Sequence, residues 1–241
     1  MERQSPVIGI TTYSRSAGGA FTLPATYVEA VQRAGGAAVL LPPQPQPASL
    51  SLIAALDGIM FTGGGDISPD CYSGVQHPTV YGVDDSRDTF ELELARYLLT
   101  SQIPTLGICR GMQMLAVASG AELLPHLPEI YGEQVMHRLD QPHRPIPHPV
   151  QTVPESRLAL LLDAAEFEIV SWHHQAIKAL PDGWQLAATA ADGLIEAMEY
   201  QSHPWMFAVQ WHPELSPDAP VQQRLFEAFV AACELKLETR I

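Results

Sequence analysis

The segment Thr105-Leu106-Gly107-Ile108-Cys109-Arg110-Gly111-Met112-Gln113 sets a cysteine between two glycines, each two residues away. An apolar, strand-like run precedes it and a helical pattern follows, so the cysteine falls on a strand-to-helix turn of the nucleophile-elbow type. Such a turn brings chain segments close together, and glycine is the residue that tolerates this. A cysteine at a helix N-terminus has its thiolate favoured by the partial positive charge of the helix end, and a thiolate attacks carbonyl carbon. Taken alone, the pattern also describes a buried cysteine beside helix-packing glycines. A base in the right place separates the two readings.

That base is supplied near the end of the chain, where Ala208-Val209-Gln210-Trp211 leads into His212-Pro213-Glu214. Proline at 213 biases His212 towards an extended backbone, and extended residues i and i+2 point to the same side, so His212 and Glu214 are expected to converge. A carboxylate on one imidazole nitrogen fixes the tautomer and leaves the other nitrogen to take the thiol proton. In isolation the tetrad also fits a surface turn. The order nucleophile, histidine, acid differs from the α/β-hydrolase order, in which the acid precedes the histidine. A third element, Phe61-Thr62-Gly63-Gly64-Gly65-Asp66, ends a strand with three glycines whose N–H groups could face an oxyanion. Gly64 and Gly65 are the candidates there, and the N–H of Arg110 is the expected second donor.

These residues need a scaffold that brings them to one edge. Val7–Thr12, Ala37–Leu41, Gly58–Phe61 and Pro104–Ile108 read as buried strands, and Pro24–Ala34, Leu50–Leu56 and Asp85–Leu99 have helical spacing. Alternation of this kind predicts a single-domain α/β fold over residues 1–241, with a mostly parallel central sheet flanked by helices and ligands at the carboxyl ends of the strands. Leu127–Pro149, rich in proline and histidine, reads as a long surface excursion and a candidate lid. Strand-like runs resume at Phe167–Ser171, Trp184–Thr189, Ile195–Glu199 and Met206–Trp211, adding antiparallel strands in the second half, and a helix is predicted near Val221–Leu237. The proline-rich patch Pro42–Pro47 reads as a surface turn.

Composition narrows the function classes. Thirteen Lys and Arg against 27 Asp and Glu give a formal net charge of −14, which repels nucleic acid and anionic membranes. A hydrophobic fraction of 46% with 17% charged residues is that of a globular chain. Met1–Pro6 lacks the order of a secretory signal, and no run approaches a membrane span. Three cysteines, an odd and sparse set, argue against a disulfide framework and fit a reducing cytoplasm.

Taken together, Thr62–Asp66, Gly107–Gln113 and Trp211–Glu214 resemble the class I glutamine amidotransferase family, over nearly the whole chain. More narrowly the chain is similar to the γ-glutamyl-γ-aminobutyrate hydrolase (peptidase C26) branch, through Gly64-Gly65-Asp66-Ile67-Ser68-Pro69 with Tyr72, and Arg87-Asp88 with Glu91. Ser171-Trp172-His173-His174-Gln175 and Asp192-Gly193-Leu194-Ile195-Glu196-Ala197 also match it. The resemblance implies that Cys109 attacks a γ-glutamyl amide carbonyl, that Gly64, Gly65 and Arg110 line the oxyanion hole, and that His212, oriented by Glu214, shuttles protons. It assigns Gln113, Ser171, Trp172, His173 and Gln175 to substrate binding, and implies no metal or organic cofactor. The expected activity is hydrolysis of a γ-glutamyl amine in amine or polyamine catabolism, with a partner-dependent glutaminase subunit as the alternative and a homodimer as the expected assembly. The stretch Gly120-Ala121-Glu122-Leu123-Leu124-Pro125-His126 departs from the family pattern on the leaving-group side.

Nine histidines raise the question of metal. His137, His143 and His148 lie in one excursion and His173-His174 in another, neither with the ordered spacing of a zinc site, and adjacent histidines on a strand point apart. His173 is therefore expected in the pocket. Arg87, Asp88 and Glu91 without the resemblance read as a solvated helix turn, and with it as shaping the pocket mouth. Cys71 and Cys233 read as structural or incidental, and Trp172 and Trp211 as braces for the active-site strands.

Overall fold

Alternating apolar runs fold into a sheet because each run is too short and too β-branched to bury itself as a helix, and each intervening segment is amphipathic at helical spacing. The computed structural model describes residues 5–45, 48–140 and 143–240. Among these residues thirteen strands and seven α-helices follow in chain order. β1 (Val7–Thr11), α1 (Ala25–Arg33), β2 (Ala37–Leu41), α2 (Ala48–Ala54), β3 (Gly58–Phe61), α3 (Asp85–Leu99), β4 (Thr105–Ile108) and α4 (Arg110–Ala118) form the first half. β5 (Leu123–Leu124), α5 (Pro128–Tyr131), β6 (Leu139–Asp140), β7 (His143–Arg144), β8 (Ile146–Thr152), α6 (Arg157–Leu162), β9 (Glu166–Ser171) and β10 (Ala176–Ile177) come next. β11 (Trp184–Ala190), β12 (Ile195–Tyr200), β13 (Met206–Val209) and α7 (Pro220–Arg240) close the chain.

The main sheet has nine strands in the order β2-β1-β3-β4-β13-β12-β11-β8-β9. β2, β1, β3, β4 and β13 pair in parallel, and β12, β11, β8 and β9 continue antiparallel. This is the expected single-domain α/β architecture. Its two faces carry separate apolar clusters, one built with Tyr27, Val31, Leu158, Leu225 and Phe229 and the other with Ile53, Phe90, Leu94, Met112 and Leu115. Helices α1, α6 and α7 therefore cover one face, and α2, α3 and α4 the other.

Three sequence expectations change. β2 is the outermost strand of its half of the sheet, and Val39 and Leu40 are exposed, so it is not buried on both faces. The irregular excursion ends earlier than Pro149, because Ile146–Thr152 is a strand of the main sheet paired with β9. Its prolines hid it from the periodicity reading. β11 reaches only Val150–Thr152, which leaves the Pro147–Pro149 stretch paired with β9 alone, the half-edge setting in which proline is tolerated. Helix α6, entered through Ser156, whose hydroxyl accepts from the Ala159 N–H at 3.0 Å, was not foreseen. Residues 46 and 47 of the Pro42–Pro47 turn and residues 1–4 lie outside the described set. Among the described residues no helix is long and apolar enough to cross a membrane.

Phe229 of α7 is fully buried against the sheet, with its ring 5.1 Å from that of Trp205. Phe229→Ala removes a large side chain from a close-packed site and is expected to lower stability by about 3–5 kcal/mol, read as a shift in the urea midpoint at constant slope.

Candidate functional site

β4 and β13 are direct neighbours, with Ile108 in register with Val209, so the residues that follow each strand emerge side by side at the same carboxyl edge. Cys109 follows β4, and His212 comes three residues after β13 ends. The Cys109 N–H donates to the Val209 carbonyl at 2.8 Å, and the His212 N–H donates to the Val170 carbonyl of β9 at 2.8 Å. Cys109 has φ 53° and ψ −107°, a positive φ that a non-glycine residue adopts only under constraint, costing about 1–3 kcal/mol. Helix α4 starts at the next residue, and the Cys109 carbonyl accepts from the N–H groups of Met112 and Gln113 at 3.0 and 3.2 Å. The elbow glycine on the far side is required by packing: a Cβ on Gly111 would lie 2.6 Å from the Phe61 carbonyl oxygen.

His212 Nδ1–H donates to Glu214 Oε1 at 2.7 Å, and both side chains are buried. The convergence arises differently from the sequence expectation. His212 has φ −109° and ψ 83°, short of a fully extended backbone, and Pro213–Leu215 forms a 3₁₀ turn that carries the Glu214 carboxylate back to the imidazole. The ring and Cys109 stand on the same side of the glycine loop, with His212 Cε1 and Cys109 Cβ both close to Gly63. Burial opposes the imidazolium, but the charge of Glu214 and then the nearby Cys109 outweigh it, so the His212 pKa is raised well above its ordinary value. The Gly63 N–H donates to the Tyr27 hydroxyl at 3.1 Å, which fixes the glycine loop beside this pair.

The Gly63-Gly64-Gly65 loop is held from behind by four charged side chains, all removed from water. Arg87 Nη2 donates to the carbonyls of Gly63 and Thr62 at 2.8 and 3.3 Å, and Arg87 Nε donates to Glu91 Oε1 at 2.8 Å. Arg110 donates to both Glu91 and Asp88, and Asp88 Oδ2 accepts from the Ser68 N–H at 2.9 Å. Arg87, Asp88, Glu91 and Arg110 are each no more than 2% exposed. The acidic turn of α3 is thus no solvated face, as the isolated sequence pattern suggested, but a buried, charge-balanced clamp between the glycine loop and the elbow helix. Burial works against the Glu91 carboxylate, yet the two guanidiniums, Arg110 and then Arg87, leave its pKa lowered.

A small, partly open pocket lies beside Cys109. Gly64, Arg110, Gln113, Trp172, His173 and Gln175 line it, together with Asp66, Tyr81 and His174. Gly64 has φ +140°, and a Cβ there would strike Arg87 Nη1 at 2.2 Å. Gly65 packs against the Gly82 backbone, with a hypothetical Cβ 2.3 Å from the Gly82 oxygen. Arg110 presents its backbone at the first position of α4, where an N–H has no intrahelical acceptor, while its side chain is committed to the clamp. Gln113 Nε2 donates to the Gln175 carbonyl at 3.0 Å and to Gln210 Oε1 at 3.3 Å, tying α4 to the opposite wall.

Two expectations are corrected. Ser171 does not face the cavity: it is fully buried, and its hydroxyl donates to the His137 carbonyl at 2.8 Å. Trp172 does not brace the strands but stands 37% exposed on the cavity wall, its ring 6.4 Å from that of His212. Trp211 is the brace, fully buried, with Nε1 donating to Gln222 Oε1 at 3.0 Å. The sequence reading missed Asp66, Tyr81 and His174 as cavity residues. His174 Nε2 lies 3.0 Å from Asp66 Oδ2, and the Tyr81 N–H donates to the same carboxylate oxygen at 2.9 Å. Asp66 closes the glycine run and His174 adjoins His173, so both carried a signal; Tyr81 had none. Behind His173 lies a second polar cluster of His137, His148, Asp192 and Glu196.

Two outcomes are expected from this geometry. Glu91→Gln leaves two buried guanidiniums sharing one fewer anion and should cost about 3–5 kcal/mol in urea denaturation. Because His212 has a higher pKa folded than unfolded, its contribution to stability is complete below about pH 6.5 and is lost as pH rises through the raised folded value. The difference in urea midpoint between the wild type and His212→Gln should therefore be largest below that pH and shrink above it.

Among known proteins, the Peptidase C26 family profile matches residues 6–214. A Mycobacterium tuberculosis protein named "putative glutamine amidotransferase" is 39% identical over 242 residues, covering 94% of this chain and 74% of its own. The γ-glutamyl-γ-aminobutyrate hydrolase of Escherichia coli K12 is 36% identical over 249 residues, covering 95% of this chain and 94% of its own. In fold, a crystal structure from Thermoplasma acidophilum described as "a putative gmp synthase subunit a protein" superposes with a TM-score of 0.68 at 18% identity, covering 98% of each chain. The chain belongs to the Peptidase C26 family and is a hydrolase of the class I amidotransferase-like type.

Proposed function

We propose that this hydrolase cleaves the amide bond of a small γ-glutamyl amine, releasing glutamate and the free amine. The observation that carries the reading is the buried Cys109–His212–Glu214 grouping beside a small pocket lined by Gly64, Arg110, Gln113, His173 and Gln175. In this reading Cys109 Sγ, deprotonated by His212, attacks the γ-carbonyl carbon. The developing oxyanion is met by backbone N–H groups of the Gly64-Gly65 loop and of Arg110, held in advance by the charge clamp. As the C–N bond breaks, the His212 imidazolium gives its proton to the leaving amine, and a γ-glutamyl thioester remains. Water then attacks the thioester carbon, His212 takes its proton, and glutamate leaves as the thiol is restored.

Glu214 orients His212 and stabilises the imidazolium formed in each half-reaction. Gln113, His173, Gln175 and the Asp66–His174 pair offer polar groups for the amino-acid end of the substrate, and Trp172 offers an apolar surface at the mouth. The substrate preference follows the named relative from Escherichia coli, whose match extends across both chains. The glutamine amidotransferase name of the Mycobacterium tuberculosis relative favours a second reading, a glutaminase subunit that passes ammonia to a separate synthase.

Glutamate release from γ-glutamyl-γ-aminobutyrate, other γ-glutamyl amines and glutamine distinguishes the two. Selective turnover of a γ-glutamyl amine by the isolated chain is expected, with kcat falling by at least about 10³-fold in Cys109→Ala. Turnover of glutamine alone, appearing only in the presence of a synthase, would overturn the hydrolase reading in favour of the glutaminase subunit.

A further inference from the structure

Behind the wall that carries His173, three imidazoles converge on one carboxylate oxygen. His137 Nδ1, His148 Nε2 and His173 Nε2 lie 3.2, 3.6 and 3.6 Å from Glu196 Oε1. The four residues come from separate places: His137 from the excursion before β6, His148 from β8, His173 from the segment after β9, and Glu196 from β12. All are buried, Glu196 completely. Yet His137 Nδ1, His148 Nε2, His173 Nε2 and both Glu196 oxygens have no hydrogen-bond partner of acceptable geometry. Five unpartnered buried polar atoms facing one another are costly unless something sits among them.

The outward nitrogens bear on what that occupant is. His148 Nδ1 lies 3.1 Å from the Pro149 carbonyl and His173 Nδ1 lies 3.0 Å from the Gln175 carbonyl. A carbonyl only accepts, so each Nδ1 carries the hydrogen and, in a neutral ring, each inward Nε2 presents a lone pair. His137 Nε2 is similarly engaged, 3.0 Å from Asp192 Oδ2. The inward lone pairs of His148 and His173, directed at a carboxylate oxygen, repel unless a cation, either a metal ion or a proton on His137, lies among them. A ring whose outer N–H is fixed by a carbonyl or carboxylate is also the usual arrangement of a metal-ligating histidine.

The dimensions agree. Ligands about 2.0–2.1 Å from a tetrahedral zinc ion stand about 3.4 Å apart, close to the three nitrogen–oxygen separations given above. The donor atoms of His137, His148 and Glu196 all lie within 4.8 Å of one another. We propose that His137, His148 and Glu196 bind a divalent transition-metal ion of the zinc class, with Asp192 fixing the His137 ring and His173 Nε2, 3.6 Å from Glu196 Oε1, at the edge of the site. Nitrogen-rich ligation with one carboxylate selects zinc, cobalt or nickel over magnesium or calcium, which take oxygen ligands.

The ion would be a structural tie. It would pin the excursion to β8 and β12, and to the segment whose Trp172, His174 and Gln175 line the Cys109 cavity. The His173 N–H already donates to the His137 carbonyl at 3.1 Å, so the backbone is drawn to the same place. The linear spacing of the histidines shows no zinc signature because the ligands converge from separate segments.

The test uses full-length, untagged Cys109→Ala protein, so that neither a histidine tag nor the Cys109–His212 pair can bind the metal. After dialysis against a chelator, titration with Zn²⁺ should show one equivalent bound, and Co²⁺ should give the visible absorption of a nitrogen-ligated site. Adding Glu196→Gln or His148→Gln should weaken binding at least about 10²-fold, and adding Asp192→Asn about 10- to 100-fold. Circular dichroism confirms that each variant is folded. If a substitution unfolds the chain, the Co²⁺ spectrum of Cys109→Ala alone decides. No binding by folded Cys109→Ala protein, or binding unchanged by Glu196→Gln and His148→Gln, overturns the proposal and leaves the cluster holding protons instead.

Discussion

Two guanidiniums and two carboxylates, all out of water, join the glycine loop after β3 to the first turn of α4. Burying four charges carries a large desolvation cost, which is recovered only when every partner is in place and the remaining hydrogen-bonding positions are filled. Here Glu91 sits between Arg87 and Arg110, Asp88 takes the other side of Arg110 and a backbone N–H, and Arg87 closes the set on the carbonyls of Thr62 and Gly63. The set has no net charge and no slack. The two stretches of backbone that flank Cys109 are therefore held at a fixed separation by side chains that never enter the cavity.

That clamp explains how a strained residue survives at the centre. Cys109 has a positive φ, and a turn of that kind relaxes unless its surroundings over-determine it. The parallel half of the sheet supplies half of the constraint, through the ladder between β4 and β13 and the bond from the Cys109 N–H to Val209. The clamp and the close approach of Gly111 to Phe61 supply the other half. With both in force, Cys109 stands at the N-terminus of α4, on the same side of the glycine loop as the buried His212.

The antiparallel half of the sheet has a different task. β9 holds the His212 backbone, and the segment after it brings Trp172 to Gln175 around the cavity, tied to α4 through Gln113. The excursion meets this segment through His137, whose carbonyl accepts from both the Ser171 hydroxyl and the His173 N–H. Cys109 and the Trp172 to Gln175 wall thus rest on opposite halves of one sheet, with His212 held between them by its bond to β9.

The placing of Cys109 on a strand-to-helix turn and the pairing of His212 with Glu214 were legible in the sequence, because each lies in a short local pattern: glycines around the turn, and a proline-spaced pair after an apolar strand. The alternation of strands and helices was legible for the same reason, being a matter of periodicity over a few residues. β8 was not, because its two prolines erased the signal and only the neighbouring β9 shows that they can be accommodated. The fate of Arg87, Asp88 and Glu91 was not legible either: one helical turn of charges looks the same whether it faces water or Arg110. Nor could the sequence show that Ser171 points away from the cavity, that Tyr81 points into it, or that His137, His148, His173 and Glu196 meet. Local sequence determines which groups exist and how their own backbone turns. Which groups face one another across tens of residues is decided when the sheet closes, because only then do burial and partnership become properties of particular atoms.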